Sequence, residues 1–177
     1  MNERVRPSRI RVLPLNENHL PAVQEIEAAC EAIVHSAGVA QSSPRALGEI
    51  VALTKQHNVR VAEADDKAIG YLAWRDESPG VAYLEELSVT PEKQRFGVAS
   101  ELLQAMRDEA RKIGLPVIVT RAWTRVASAQ AFLRKSGFLG IGDDSPERVL
   151  QWREEQTHLG KSLRDGEAIF WAPVDEA

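Results

Sequence analysis

Between Val81 and Trp123 the chain reads as strand, turn, helix and strand, and this succession restricts the fold more than any other stretch. Leu84, Leu87 and Val89 supply apolar strand content, and Pro91 ends the strand because it cannot donate to a ladder. Gly97 opens a helix whose apolar positions recur at Val98, Leu102, Leu103, Met106 and Ala110; it runs to about Ile113 and stops at Gly114. Pro116 to Trp123, through Val117, Ile118 and Val119, is a nearly continuous apolar run, as expected of a strand buried on both faces. A right-handed crossover through the helix places it beside the Val81–Val89 strand and parallel to it.

The remaining elements are read around that pair. Ile10, Val12 and Leu13 suggest a short first strand within Arg9–Leu15. Asn16 or Asn18 can cap a helix from about His19 to His35, with Leu20, Val23, Ile26, Cys30 and Ile33 on its buried face and Gly38 at its end. Ser42 or Ser43 before Pro44 signals a second helix, carried by Leu47, Ile50, Val51 and Leu53 as far as Gln56. The period then changes to two. Asn58–Ala64 and Ala68–Arg75 alternate about Asp65-Asp66, a hairpin signal, and Ser78-Pro79-Gly80 turns the chain into the Val81–Val89 strand. After Trp123 the pattern gives a helix over Ala129–Lys135 capped by Ser128, a strand over Phe138–Ile141, and a helix started by Asp143-Asp144-Ser145-Pro146. A last strand at Ala168–Trp171 follows.

Composition bounds the partners. With 177 residues, 44% apolar and 27% charged, the chain suits one globular domain, 1–177 with a core of about 9–174. No run reaches the roughly 18 to 20 apolar residues of a membrane span. The single cysteine, Cys30, suits a reducing cytoplasm and falls on an apolar helical face, so it reads as core. A net charge of −4 argues against nucleic acid as a partner. His19, His35, His57 and His158 have no metal-ligand spacing.

At the start of the Gly97 helix, backbone amides without helical partners suit phosphate oxygens, and Gly97, Ala99 and Ser100 are small although Phe96 and Val98 are not. An ordinary strand-to-helix turn has the same appearance. The run Gln94-Arg95-Phe96-Gly97-Val98-Ala99, however, resembles the signature of the GNAT acetyltransferases: Gln or Arg, then Gly three positions on, then Gly or Ala. A second resemblance lies at Ala131-Phe132-Leu133-Arg134-Lys135-Ser136-Gly137-Phe138, similar to a motif in which an Ala, a Phe-Tyr pair and a Gly-Phe pair are conserved in spacing. The Leu84–Val89 strand and the Gly166–Pro173 ending resemble a large bacterial subgroup of mostly unassigned acceptor.

The resemblance implies an α/β fold of the mixed α+β kind, with a central, mostly antiparallel, splayed sheet flanked by helices. It implies acetyl-CoA as co-substrate, with backbone groups of Leu87, Ser88 and Val89 along the pantetheine arm and acetyl carbonyl. The loop of Gln94, Arg95, Phe96, Gly97, Val98, Ala99 and Ser100 would take the pyrophosphate, with Arg95 adding charge or standing in solvent.

The chemistry needs a neutral amine. Neutralising a lysine-like ammonium, pKa about 10.4, at pH 7 costs roughly 4 to 5 kcal/mol, which a positioned carboxylate can offset. Glu85 and Glu86 are the candidates, facing opposite sides of the strand; Glu85 shares parity with Leu87 and Val89 and is preferred. Either could equally be a solvated carboxylate or half of a structural ion pair. The Leu87 amide is the candidate donor to the thioester oxygen. Two departures stand out: Leu133 occupies the position of the family's tyrosine, the presumed thiolate acid, and Ala129 that of an asparagine. Tyr83 and Tyr71 could substitute as acids, but both read first as core or edge aromatics. Arg121, which stands where some relatives place a glutamate base, is with Trp123 and Arg125 either a reader of an acceptor's carboxylate or aromatic part or, equally, a surface residue. Segment 143–165 could border the acceptor cleft or form a homodimer contact. The expected activity is N-acetylation of a primary amine on a small molecule or peptide; the alternative is a non-catalytic acyl-CoA-binding or regulatory module.

Overall fold

The computed structural model describes Pro7 and residues 9–39 and 43–175. In order, the elements are β1 (Arg11–Pro14), α1 (Leu20–Ser36), α2 (Leu47–Gln56), β2 (Asn58–Ala64), β3 (Lys67–Glu77) and β4 (Val81–Val89). Then come α3 (Val98–Lys112), β5 (Val117–Trp123), α4 (Ala127–Lys135), β6 (Leu139–Gly140), α5 (Glu147–His158) and β7 (Glu167–Pro173). Short 3-10 turns occupy Glu17–His19 and Pro91–Lys93. The architecture is the expected mixed α/β one, with mostly antiparallel strands and β4 parallel to β5. The chain groups into two compact units: Met1–Trp74 with Glu86–Met106, and Arg75–Glu85 with Arg107–Ala177. Strands β3 and β4 contribute residues to each. No helix among the described residues is long and apolar enough to cross a membrane.

In the first unit β1, β2 and β3 pair antiparallel in sequence order, Arg11 opposite Glu63 and Asn58 opposite Trp74. The β2–β3 turn places Asp65 and Asp66 at φ of 51° and 56°, the left-handed pair that a two-residue hairpin demands. Val23 and Ile26 of α1 and Ile50 and Leu53 of α2 cover Val59, Val61, Tyr71 and Ala73. Cys30 packs at the edge of this cluster, its thiol donating to the Val89 carbonyl at 3.4 Å, and burial pushes the thiol pKa up. That is a partly buried position against the core. Gly70 is a close-approach site: a Cβ there would meet the Ser88 carbonyl oxygen at 2.9 Å and Val98 at 3.2 Å. Helix α2 is not capped by Ser43. Ala46 is its N-cap, and its backbone N–H donates to the Glu49 carboxylate at 2.7 Å, a bond reaching back from the first turn. Ser42 lies outside the described residues.

In the second unit Val81–Leu84 pair in parallel with Val117–Thr120, as the crossover argument requires, and β5 pairs antiparallel with β7 from Val117/Pro173 to Trp123/Glu167. Strand β6 pairs with β7. The core joins Val81, Tyr83, Val117, Val119, Val149, Trp152 and Ile169, with Ile141 and Trp171 packed against it. Trp152 is fully buried and its indole N–H donates to Glu77, which also accepts from Gln156. Arg107 is buried, its guanidinium donating to the carbonyl of Ser136 at 2.8 Å. Strand β5 is less buried than its composition suggests: Val117–Thr120 are buried, Arg121–Trp123 only partly. Helix α4 begins earlier than expected, with Val126 as N-cap and no side-chain cap, so Ser128 lies within its first turn.

Candidate functional site

Local bonds build the loop between β4 and α3 within the first unit. Thr90 N–H donates to the Ile69 carbonyl at 2.9 Å, fixing the strand end. Pro91–Lys93 make one 3-10 turn, after which the Gln94 side-chain amide folds back to donate to the Val89 carbonyl at 3.1 Å. Arg95 and Gly97 then take left-handed backbones, φ 70° and 89°. For Arg95 this is uncommon and costs of the order of 1 kcal/mol, the kind of strain that marks a loop shaped for a purpose. The first helical bond of α3 runs from Glu101 N–H to the Gly97 carbonyl at 3.0 Å, so the helix offers no carbonyl to the amides of Val98, Ala99 and Ser100. Val98 is buried and anchors the helix, whereas Arg95, Gly97 and Ser100 are exposed. A Cβ built on Gly97 meets nothing within 4 Å and would project into open space. Bare amides, a helix N-terminus and no side chain at Gly97 fit a phosphate group.

Strand β4 carries the two expected carboxylates, which have different surroundings. Glu86, in the first unit, accepts from the Arg45 guanidinium at 2.9 Å and from the Ser88 hydroxyl at 2.8 Å. The same Arg45 nitrogen donates to Glu27 at 2.6 Å, and the Tyr71 hydroxyl donates to Glu27 as well. Burial pushes the Glu86 carboxyl above its usual range; Arg45 opposes this and Glu27 adds to it. Burial and the two carboxylates likewise hold the Tyr71 hydroxyl well above its usual pKa. Sequence reasoning missed Glu27 and Arg45. The signal was present for Glu27, which lies four residues after Val23 and next to Ile26 on the buried face of α1.

Glu85, in the second unit, accepts from the Arg75 guanidinium at 2.8 Å. Arg75 also binds Glu77 and lies over the Tyr83 ring, 4.9 Å from its centroid. Glu85 lines a cavity of about 310 Å³ with Tyr83, Arg121, Lys161, Ser162, Arg164 and Glu167. Burial, with the Glu85 charge, raises the Tyr83 hydroxyl above its usual pKa, against the pull of Arg121 and Arg75. Tyr83 is thus a protonated hydroxyl at neutral pH. Leu133 is buried in α4, 5% exposed, so the position resembling the family's tyrosine is spent on packing. Arg121 lies in the cavity wall; Arg125 is exposed and pairs with Asp165 at 3.4 Å. Trp123 is covered by Arg164, whose guanidinium is 4.4 Å from the ring centroid. Lys161, Ser162 and Arg164, which line part of the cavity, fall within the segment 143–165 expected from the sequence to border the acceptor cleft or form a homodimer contact. Leu87, the expected oxyanion donor, is a half-buried β4 residue of the first unit, two positions after Glu85.

Residues 21–138 match the acetyltransferase (GNAT) family, a span that includes both the Gln94–Ala99 loop and the Ala131–Phe138 stretch. The chain belongs to the GNAT family. GNAT structures share its fold throughout its length. The Escherichia coli ribosomal-protein-S18-alanine N-acetyltransferase superposes with a TM-score of 0.66 at 19% identity, covering 96% of both chains. The PaiA N-acetyltransferase of Thermoplasma acidophilum, solved with coenzyme A, gives 0.68 at 16% identity over 93% of this chain and 99% of its own. YncA of Salmonella typhimurium, solved with its cofactor acetyl-CoA, gives 0.65 at 18% identity over 95% of each. No curated protein sequence matches the chain. The GNAT fold expected from the two motifs and the element order is therefore borne out.

Proposed function

We propose that this GNAT protein is an acetyl-CoA-dependent N-acetyltransferase acting on a primary amine of a small molecule or peptide. The observation that carries the reading is the Gln94–Ser100 loop, where left-handed Arg95 and Gly97 feed α3 and Gly97 leaves the approach to its amides open. Coenzyme A or acetyl-CoA in the named neighbours supports the same donor here. The amides of Arg95, Phe96, Gly97, Val98, Ala99 and Ser100 would hold the pyrophosphate, and backbone groups of Leu87, Ser88 and Val89 the pantetheine arm. Gln94 keeps the turn in shape through its bond to Val89. When bound, acetyl-CoA supplies an acetyl group activated as a thioester.

The protein's own groups then divide the work. Glu85 removes the proton from the acceptor ammonium, directly or through water, in a cavity wide enough for a small amine. The Leu87 N–H donates to the thioester oxygen. The thiolate, conjugate to a thiol of pKa about 8.5, would be a tolerable leaving group and would need no acid in place of Leu133. Glu86 serves structure, as the partner of Arg45 and Ser88. The whole of 1–177 acts as one domain, with the cytoplasm as its compartment. A second reading, a non-catalytic acyl-CoA-binding module, draws support from the buried Leu133 alone.

The test is a calorimetric titration of acetyl-CoA and coenzyme A into the protein, with Gly97→Glu and Ser100→Glu variants shown to be folded by their melting curves. Saturable binding that weakens roughly 100-fold or more in either variant supports the donor site, since a carboxylate there opposes phosphate. No binding to the folded wild type sinks it. Thiol release across an amine panel then separates the readings: turnover supports the transferase, binding without turnover supports the module.

A further inference from the structure

The cavity of the second unit has more positive than negative charge left to offer. Its wall holds Arg121, Lys161 and Arg164 against Glu85 and Glu167. Glu167 is taken up by Arg164, whose guanidinium donates to it at 2.6 and 3.1 Å and whose backbone N–H donates at 2.9 Å. Glu85 is engaged by Arg75. Arg121 is different. One of its terminal nitrogens donates to the Lys161 carbonyl at 2.6 Å, and its guanidinium lies 5.8 Å from the centroid of the Trp152 ring, which orients it. Its Nε–H is buried and has no hydrogen-bond partner, and among the described residues it forms no ion pair with a carboxylate. Folded proteins rarely leave a buried donor unmade, and a planar guanidinium fork matches a carboxylate edge to edge.

We propose that Arg121 receives a carboxylate of the acceptor, so that the substrates are amines that also carry a carboxylate, as amino acids and peptide ends do. This rests on the acetyl-transfer reading above for the word acceptor, though not for the site itself. The wall supplies both complements such a molecule needs: an anion, Glu85, for the ammonium, and a cation, Arg121, for the carboxylate.

The experiment begins without the donor. A panel of N-acetylated amino acids, each paired with its C-terminal amide, is titrated into the protein and followed by tryptophan fluorescence, which the indoles beneath Arg121 and Arg164 should report. At least one acid should bind roughly 10- to 100-fold more tightly than its amide. Arg121→Gln should abolish the preference, and Arg121→Lys, which keeps charge but loses the fork, should restore part of it. Equal binding of acids and amides, no binding by any pair, or a preference that survives Arg121→Gln would each overturn the proposal. Thiol-release assays with free amino acids and their amides follow, with acetyl-CoA affinity measured alongside. Acetyl-CoA binding and turnover without any preference for carboxylates defeats this inference and leaves the transferase standing. A carboxylate preference in a protein that does not bind acetyl-CoA supports the Arg121 site and overturns the transferase.

Discussion

Glu85 and Glu86 are consecutive on one strand and each shares a guanidinium with a second carboxylate, yet the groups around the two pairs differ. Glu86 belongs to a cluster in which two carboxylates share one guanidinium, Arg45, with Tyr71 and Ser88 supplying the remaining donors. Burial there works against ionisation, and a second carboxylate works in the same direction. Around Glu85 one guanidinium, Arg75, is likewise shared with a second carboxylate, Glu77, but here Arg121 and Lys161 stand in the same cavity wall as further cations. Alternation along a strand places neighbours on opposite faces, and the composition of each face then decides whether a carboxylate becomes part of the scaffold or stands ready to meet a ligand. On the proposed reading the surroundings are what favour Glu85 over Glu86 as the base, since residue type and position are nearly equal for both.

Several substitutions test that contrast, beginning with the largest effect. Arg45→Met should lower stability by about 3 kcal/mol near pH 8, because it strands two partly buried carboxylates. The raised Glu86 carboxyl favours the folded state below the ordinary carboxylate range and loses that contribution as pH rises through its raised value. The penalty should therefore shrink at pH 5; urea unfolding that gives equal losses at both pH values would remove the distinction between the clusters. Glu85→Gln should reduce turnover of a competent amine by about 100-fold while leaving acetyl-CoA affinity unchanged. If Glu86→Gln does this instead, the roles assigned to the two faces are exchanged. Tyr71→Phe removes a buried donor to Glu27 and should cost about 1 to 3 kcal/mol in the same unfolding assay; no change would mean Arg45 alone carries the cluster. The smallest effect is expected for Glu167→Gln. Burial raises the Glu167 carboxyl, but the bonds from Arg164 outweigh it and leave the pKa lowered. Its stabilisation is present above the ordinary carboxylate range and fades as pH falls through the lowered value. With Arg164 half exposed, the difference at pH 7 should stay below about 1 kcal/mol and close as pH falls through the lowered Glu167 value.

Much of the scaffold was legible in the sequence. The bounds of β2 and β4 agree with alternation and turn residues, and the parallel β4–β5 pair follows from strand, helix and strand in succession. Helix starts at Ala46 and Val126 were not legible, because their caps use a Glu49 side chain from inside the helix in one case and no side chain in the other. Strand β3 extends to Glu77, past the expected Arg75, since Glu77 is tied down by Trp152 and Gln156 from a helix about 75 residues away along the chain. The turn into α3 at Gly97 could be read because its signal is local, a glycine before helical apolar spacing, whereas the left-handed Arg95 could not. The carboxylate clusters could not, because Glu27, Arg45 and Glu86 become neighbours only through tertiary packing, and a periodicity analysis treats a buried Glu as an interruption.

Gly70 and Gly97 would fail in different ways under random mutagenesis. At position 70 any side chain runs into a backbone oxygen 2.9 Å away, so variants should be scarce even in a screen that asks only for folded, expressed protein. At position 97 the space is open and the obstacle is the left-handed backbone, which a non-glycine residue tolerates at a cost of about 1 to 2 kcal/mol. Such variants should survive an expression screen with reduced yield and disappear only when selection demands cofactor use. Comparing the two screens position by position would thus separate residues that the fold needs from residues that the ligand needs, using only counts of surviving sequences.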